Sequence, residues 1–245
     1  MKFSYFWTFI GLIIFCTLVH WSYKSKLQEL DNKIYYTNLQ IKQLTELVNN
    51  QQELLGNLDS SLTTLDEAIH IDSKRRVKIN KVRGFISRLL KEINTEATRR
   101  ITPIQISEIS TAIVDYGNQY NVPNSLIIAV IRQESNFDIK AVSSAGAKGL
   151  IQILPSTAED IKVWLNKPYY DAFKPSQNIQ FGVYYLGKLL NMFPKDISKA
   201  VMAYNTGPGN VIRFQAGEIQ LYPETINYEE KVINYYQQYK NLGID

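Results

Sequence analysis

Apolar positions change their spacing twice along this chain. From Ser4 to Tyr23 they are almost continuous, in SYFWTFIGLIIFCTLVHWSY, without Asp, Glu, Lys or Arg. About 20 such residues cross a bilayer as one helix. Tyr5, Trp7, Trp21 and Tyr23 would stand at its two interfaces. A cleaved signal peptide is the alternative, but no small-x-small cleavage site follows. Phe15 before Cys16 is also too large for lipoprotein processing. Residues 1–23 therefore read as a retained transmembrane anchor. Lys2 opposes Lys24, Lys26 and Lys33, so charge alone does not set its orientation.

The second pattern alternates spacings of three and four. Leu27, Leu30, Ile34, Thr37, Ile41, Leu44, Val48, Gln51, Leu55, Leu58, Leu62, Leu65 and Ile69 form one seam, interrupted only by Thr37 and Gln51. Such heptads predict a coiled-coil stalk over 24–72 and a homo-oligomer through it. A hairpin or a stripe packed on a domain is the alternative. The absence of Pro and the place of Gly56 outside the seam favour one continuous helix.

Beyond the seam the period becomes that of ordinary amphipathic helices. Val82, Phe85, Ile86, Leu89, Leu90 and Ile93 recur at helical spacing among ten basic residues between 73 and 100. This stretch reads as a basic helical linker, either simply solvated or touching anionic lipid or wall polymer. From 101 to 245 the pattern predicts helices near 104–120, 123–134, 155–165, 176–193, 196–205 and 226–240. The stretches 143–149 and 206–210 read as loops, and GLIQIL as a short extended piece. The fold class expected is mainly α, with one helical domain over 101–245 behind the anchor and the stalk.

Charge and composition narrow the chemistry. The chain of 245 residues has a formal net charge of +4. Its basic excess lies in the first 100 residues, so the C-terminal domain is not a strongly basic nucleic-acid binder, and no nucleic-acid partner is expected. The only Cys is Cys16, and the only His are His20 and His70. Residues 101–245 therefore hold no Ser-His-Asp triad, Cys nucleophile, or His- or Cys-based zinc site. Acid–base chemistry there falls to carboxylates, Tyr or Lys. No metal or cofactor is expected.

Glu134 stands out. It follows the apolar run Leu126–Ile131 and shares a helical stripe with Ile127, Val130 and Ile131. A carboxylate in such surroundings is desolvated, which raises its pKa and lets it hold a proton near neutrality. A Glu tipping into solvent at a helix end fits the same spacing.

Further motifs change that balance. ESNF (134–137), AGAKGLIQILPSTA (145–158), AYNTGPGNV (203–211) and PETINYEEKV (223–232) stand in order. Together they resemble the motifs of lytic transglycosylases with the SLT, goose-lysozyme-like domain. The resemblance covers roughly residues 100–240, and not the anchor or stalk. Ile151 departs from it, where the family commonly has Met.

This resemblance implies a lysozyme-like helical catalytic domain with a glycan cleft. Its substrate would be peptidoglycan, cut between N-acetylmuramic acid and N-acetylglucosamine. Glu134 would be the catalytic acid and base. Ser135, Gly149, Gln152, Tyr204, Asn205 and Tyr228 would be substrate-binding, with Tyr228 standing near the carboxylate. Asn205 alternatively reads as a helix stop before Gly207, and Gly146 and Gly149 as mere turn residues. Most glycosidases use two carboxylates. The family uses one, aided by the acetamido group of the substrate, and closes a 1,6-anhydro ring. A hydrolytic muramidase or a non-catalytic wall-binding scaffold are the competing readings. The anchor would place the enzyme in the bacterial cell membrane as a single-pass protein, with its catalytic domain on the periplasmic or cell-wall side.

Overall fold

The computed structural model describes residues 2–245, with side chains from Phe6 onward; Met1 and the side chains before Phe6, including the expected interface residue Tyr5, lie outside the described residues. The chain divides into two compact units, with the boundary between His70 and Ile71. Its elements are α1 (Lys2–Ile93), α2 (Glu96–Arg99), α3 (Pro103–Tyr120), α4 (Asn124–Ser135), α5 (Pro155–Trp164), α6 (Pro175–Met192), α7 (Ile197–Thr206), α8 (Pro208–Gln215) and α9 (Pro223–Asn241).

The first unit is helix throughout its described residues, with the seam residues uncovered. It contains a stretch long and apolar enough to cross a membrane, by length and composition.

The second unit packs around α4. Leu126 to Ile131 are buried on every side, which explains why six consecutive apolar residues occur in one helix. α9 lies along α4, and α3 lies along α6. A smaller cluster of Leu189, Phe193, Ala200, Ala203 and Val211 joins α6, α7 and α8.

The helix ends follow local chemistry. Thr102 and Gln105 form a reciprocal capping box ahead of Pro103. Asp196 caps α7 by accepting from the Lys199 N–H. α4 starts after Pro123, which offers no side-chain cap. Asp245 supplies one instead: its carboxylate accepts from the Ser125 N–H at 2.9 Å and from the Ser125 hydroxyl at 2.7 Å.

Three expectations are corrected. The basic stretch 73–100 is not a linker ahead of a domain starting at 101. Val82, Phe85, Ile86, Leu89 and Leu90 belong to the main core, and the second unit starts at Ile71. Phe85 meets Tyr239 edge-on at 4.9 Å between ring centroids. Arg75 donates twice to Asp115 of α3, at 2.7 and 2.6 Å. The apolar stripe of this stretch has a domain to cover, which leaves its basic residues largely on the outer face. Second, 206–210 is not a loop. α7 runs through Thr206, Gly207 turns the chain at φ +87°, and Pro208 opens α8. Third, GLIQIL forms no strand. It is a tight turn held by isolated bridges of Lys148 with Val142 and with Ile153.

Candidate active site

Glu134 occupies the last turn of α4, which Asn136 ends in the left-handed conformation at φ +49°. That position carries the carboxylate to the rim of the core without releasing it fully to solvent; it is partly exposed. Burial pushes the Glu134 carboxyl from 4.5 up to about 7, and a hydrogen bond from Tyr228 acts in the opposite direction. The Tyr228 hydroxyl donates to Glu134 Oε1 at 2.6 Å. Tyr228 is itself buried on α9, and burial together with the nearby Glu134 charge raises its pKa well above the usual phenol range. Its proton therefore stays in place to hold the carboxylate.

Tyr204 belongs to the same neighbourhood. Burial, and next the Glu134 charge, hold its hydroxyl protonated. That hydroxyl donates to the Ile151 carbonyl at 2.9 Å, and the ring lies 5.6 Å from Tyr185. Asn205, the next residue, is exposed, and its Oδ1 accepts from the Thr225 hydroxyl at 3.0 Å. This fixes the amide orientation and leaves its NH₂ group to donate outward. The third and fourth motifs are thus joined directly, with Thr225 and Tyr228 one helical turn apart on α9.

The second motif folds as a tight loop beside α4. Gly149 has φ +80°, and a Cβ there would lie 2.2 Å from the Ala172 carbonyl oxygen. Its lack of a side chain is a packing necessity rather than only a turn preference. The Ser135 hydroxyl lies 2.7 Å from the Leu150 carbonyl, to which it donates, joining the end of α4 to this loop. Gln152, at φ +50°, donates its amide to the Ala141 and Gly149 carbonyls at 3.2 and 2.8 Å. Its Oε1 is the acceptor left for a ligand. Ser135, Gly149 and Gln152 thus hold the loop together, whereas Glu134, Tyr228, Tyr204 and Asn205 cluster around the carboxylate and the α7–α9 contact.

Residues that the motif reading passed over complete the support. Asn178 is fully buried; its Oδ1 accepts from the Ile151 N–H at 2.9 Å. Its NH₂ donates to the Lys148 carbonyl at 3.0 Å and to the Tyr170 hydroxyl at 2.8 Å. A Cβ on Gly182 would lie 2.2 Å from Ile151 Cγ2. Ile151 therefore fills its site fully, although the resembled family commonly has Met there. The available signal was an Asn placed on the apolar stripe of α6 with Ile179 and Phe181 nearby.

Asp138 is not hydrogen-bonded to Glu134. It lies in the loop after α4, with Oδ1 accepting from the Lys140 N–H at 2.9 Å.

Known proteins share sequence and fold with this chain. The family described as Transglycosylase SLT domain matches residues 111–227. A putative soluble lytic murein transglycosylase of Haemophilus influenzae is 33% identical over 136 residues, covering 50% of this chain and 23% of that protein. The soluble lytic murein transglycosylase of Escherichia coli is 31% identical over 140 residues, covering 51% and 22%. Membrane-bound lytic murein transglycosylase C of Photorhabdus laumondii is 33% identical over 121 residues, covering 44% and 34%. The chain thus spans about a third or less of the length of these relatives. Among solved structures, the 70 kDa soluble lytic transglycosylase of Escherichia coli superposes with a TM-score of 0.50 at 27% identity, over 57% of this chain and 26% of that one. A complex of the 70 kDa soluble lytic transglycosylase with bulgecin A gives 0.53 at 25% identity, over 70% and 30%. The helical fold is that of these enzymes, and residues 111–227 of this chain match the Transglycosylase SLT domain family.

Proposed function

We propose that this protein is a membrane-anchored peptidoglycan lytic transglycosylase. The observation that carries the proposal is the protonatable Glu134 held by Tyr228 at 2.6 Å inside an SLT domain. Glu134 enters the reaction as an acid. It gives its proton to the glycosidic oxygen as the C1–O bond to N-acetylmuramic acid breaks. The substrate's acetamido oxygen stabilises the cationic C1. The ionised Glu134 then takes the proton of the C6 hydroxyl, and O6 closes on C1 to form the 1,6-anhydro ring. The proton is returned and no water is consumed.

Its pKa of about 7 suits both steps, because neither protonation state is expensive near neutrality. Tyr228 orients the carboxylate, Asn205 and Tyr204 line the glycan side, and Gln152 offers Oε1. One carboxylate suffices for this route. A hydrolytic muramidase commonly adds a second carboxylate to direct water.

Residues up to 23 anchor the enzyme as a single membrane-spanning helix, with the catalytic domain on the periplasmic or cell-wall side. The stalk over 24–72 makes it a homo-oligomer. The names of relatives such as membrane-bound lytic murein transglycosylase C support an envelope location.

The test is digestion of purified cell wall followed by mass analysis of the products. Wild type releases muropeptides with 1,6-anhydro ends, each one water lighter than a reducing end. Reducing ends alone would assign a hydrolase. Glu134→Gln lowers the rate about 10²–10⁴-fold. Full activity in that variant removes Glu134 from the mechanism, and no cleavage by wild type on any wall leaves the scaffold reading. Membrane fractionation with N-terminal sequencing tests the anchor: a soluble chain starting after residue 20 overturns it.

A further inference from the structure

The seam of the first unit is uncovered along its whole length. Leu27, Leu44, Leu55, Leu62 and Ile69 are each at least half exposed. An apolar stripe of that extent on one helix marks an association surface. Its composition says what covers it. With Leu27 placed at heptad position a, Ile34, Ile41, Val48, Leu55, Leu62 and Ile69 also fall at a. Leu30, Leu44, Leu58 and Leu65 fall at d. Four of the seven a residues are β-branched, and β-branched residues at a with Leu at d favour two parallel strands, because their side-chain shapes match the two kinds of packing layer in that assembly.

The flanking charges point the same way. Asp31, Asp59 and Asp66 occupy e positions, and Lys26 occupies g. Antiparallel pairing sets e positions against e positions and brings carboxylates together. Parallel pairing sets each g against the e of the next heptad, which matches Lys26 with Asp31 of the second copy. The two polar seam residues then meet their own counterparts. Paired Gln51 amides can donate to and accept from each other only in register, which penalises slipped alignments. The seam stops after Ile69, since the next d position is Asp72, which pairs with Arg76 at 2.7 Å.

We infer that residues 27–69 zip with a second copy of this chain as a parallel, in-register, two-stranded coiled coil. Two copies of the catalytic unit then follow from the same end of one stalk. The inference rests on the proposed self-association, and it adds number, direction and register. Leu47 and Leu54 at g broaden the apolar face in its middle, which is the feature that would favour more strands.

The experiment uses the full chain in detergent. Sedimentation with correction for bound detergent gives the number of chains, and two are expected. With Cys16 replaced by Ser, Leu30→Cys and Gln51→Cys are each oxidised alone. Both form cross-linked dimers in the parallel arrangement, and Leu39→Cys, on the outer f position, does not. A mixture of Leu30→Cys and Leu65→Cys chains that cross-links only between the two kinds overturns the parallel arrangement. Three or four chains overturn the two-strand assignment while leaving self-association intact. A monomer at micromolar concentration overturns both. None of these outcomes depends on wall cleavage, so a failed enzymatic assay and a failed stalk are separate results.

Discussion

The Tyr228 hydroxyl on α9 and the Glu134 carboxylate on α4 meet at 2.6 Å, although 94 residues separate them in the chain. The contact joins two opposing influences on one proton. Burial favours the neutral acid, and the phenol favours the carboxylate. The balance at about 7 is what allows one group to act first as acid and then as base.

Removing the phenol should shift that balance in a known direction. Tyr228→Phe deletes the influence that lowers the Glu134 pKa and keeps the burial that raises it. The alkaline limb of the kcat/KM profile, where the acid form is lost, should move to higher pH. Rates near neutrality should fall because the carboxylate loses its orientation. An unmoved limb would show that the hydrogen bond does not tune this group.

Glu134 also links stability to pH. Its folded pKa, about 7, lies above the ordinary 4.5, so the folded state holds more protons between these values. Stability is then undiminished below pH 4.5 and falls as pH rises toward 7. At 1.36 kcal/mol per unit, the shift corresponds to at most about 3 kcal/mol. Glu134→Gln should melt with wild type below pH 4.5 and progressively above it near pH 7 and beyond. Equal melting temperatures across that range would contradict the raised pKa.

The second-motif loop should tolerate substitution unequally. Gly149→Ala places a methyl group against the Ala172 carbonyl as well as straining a positive φ. It should cost at least about 2 kcal/mol in urea unfolding. Gly146 has a similar φ of +82° but open space around it, so Gly146→Ala should cost only about 1 kcal/mol. Equal costs would mean the loop can move away from α6.

Thr225 should act through Asn205. Thr225→Val keeps the shape of a buried side chain and removes the hydroxyl that fixes the Asn205 amide. A several-fold rise in KM is expected, with little change in kcat and a stability loss of about 1 kcal/mol. Adding Asn205→Ala to this variant should cost less than it does in wild type, because both changes remove one interaction. Additive effects would separate the two residues.

The sequence by itself determined what depends on local spacing. An uncharged apolar stretch, a heptad seam and amphipathic helices are properties of residues within a few turns of one another. Glu134 was legible too, since an acid on an apolar stripe needs no tertiary information to be noticed. Only the tertiary structure decided how distant segments divide the work. Val82 and Ile86 were visible as a stripe, but whether a stripe faces a core depends on the helices available to cover it, here α3, α4 and α9 with their buried faces. Pro208 reads equally as the end of a loop or the first residue of α8, because its fixed φ suits both. Ser135, Gly149 and Gln152 stand inside motifs that suggest ligand contact, yet their hydrogen bonds and close approaches go largely to the loop. Asn178 and Thr225 became functional candidates only when folding brought Lys148, Ile151 and Asn205 within hydrogen-bonding distance. A hydrogen bond is directional and spans about 3 Å, so no periodicity along a chain can specify one between helices.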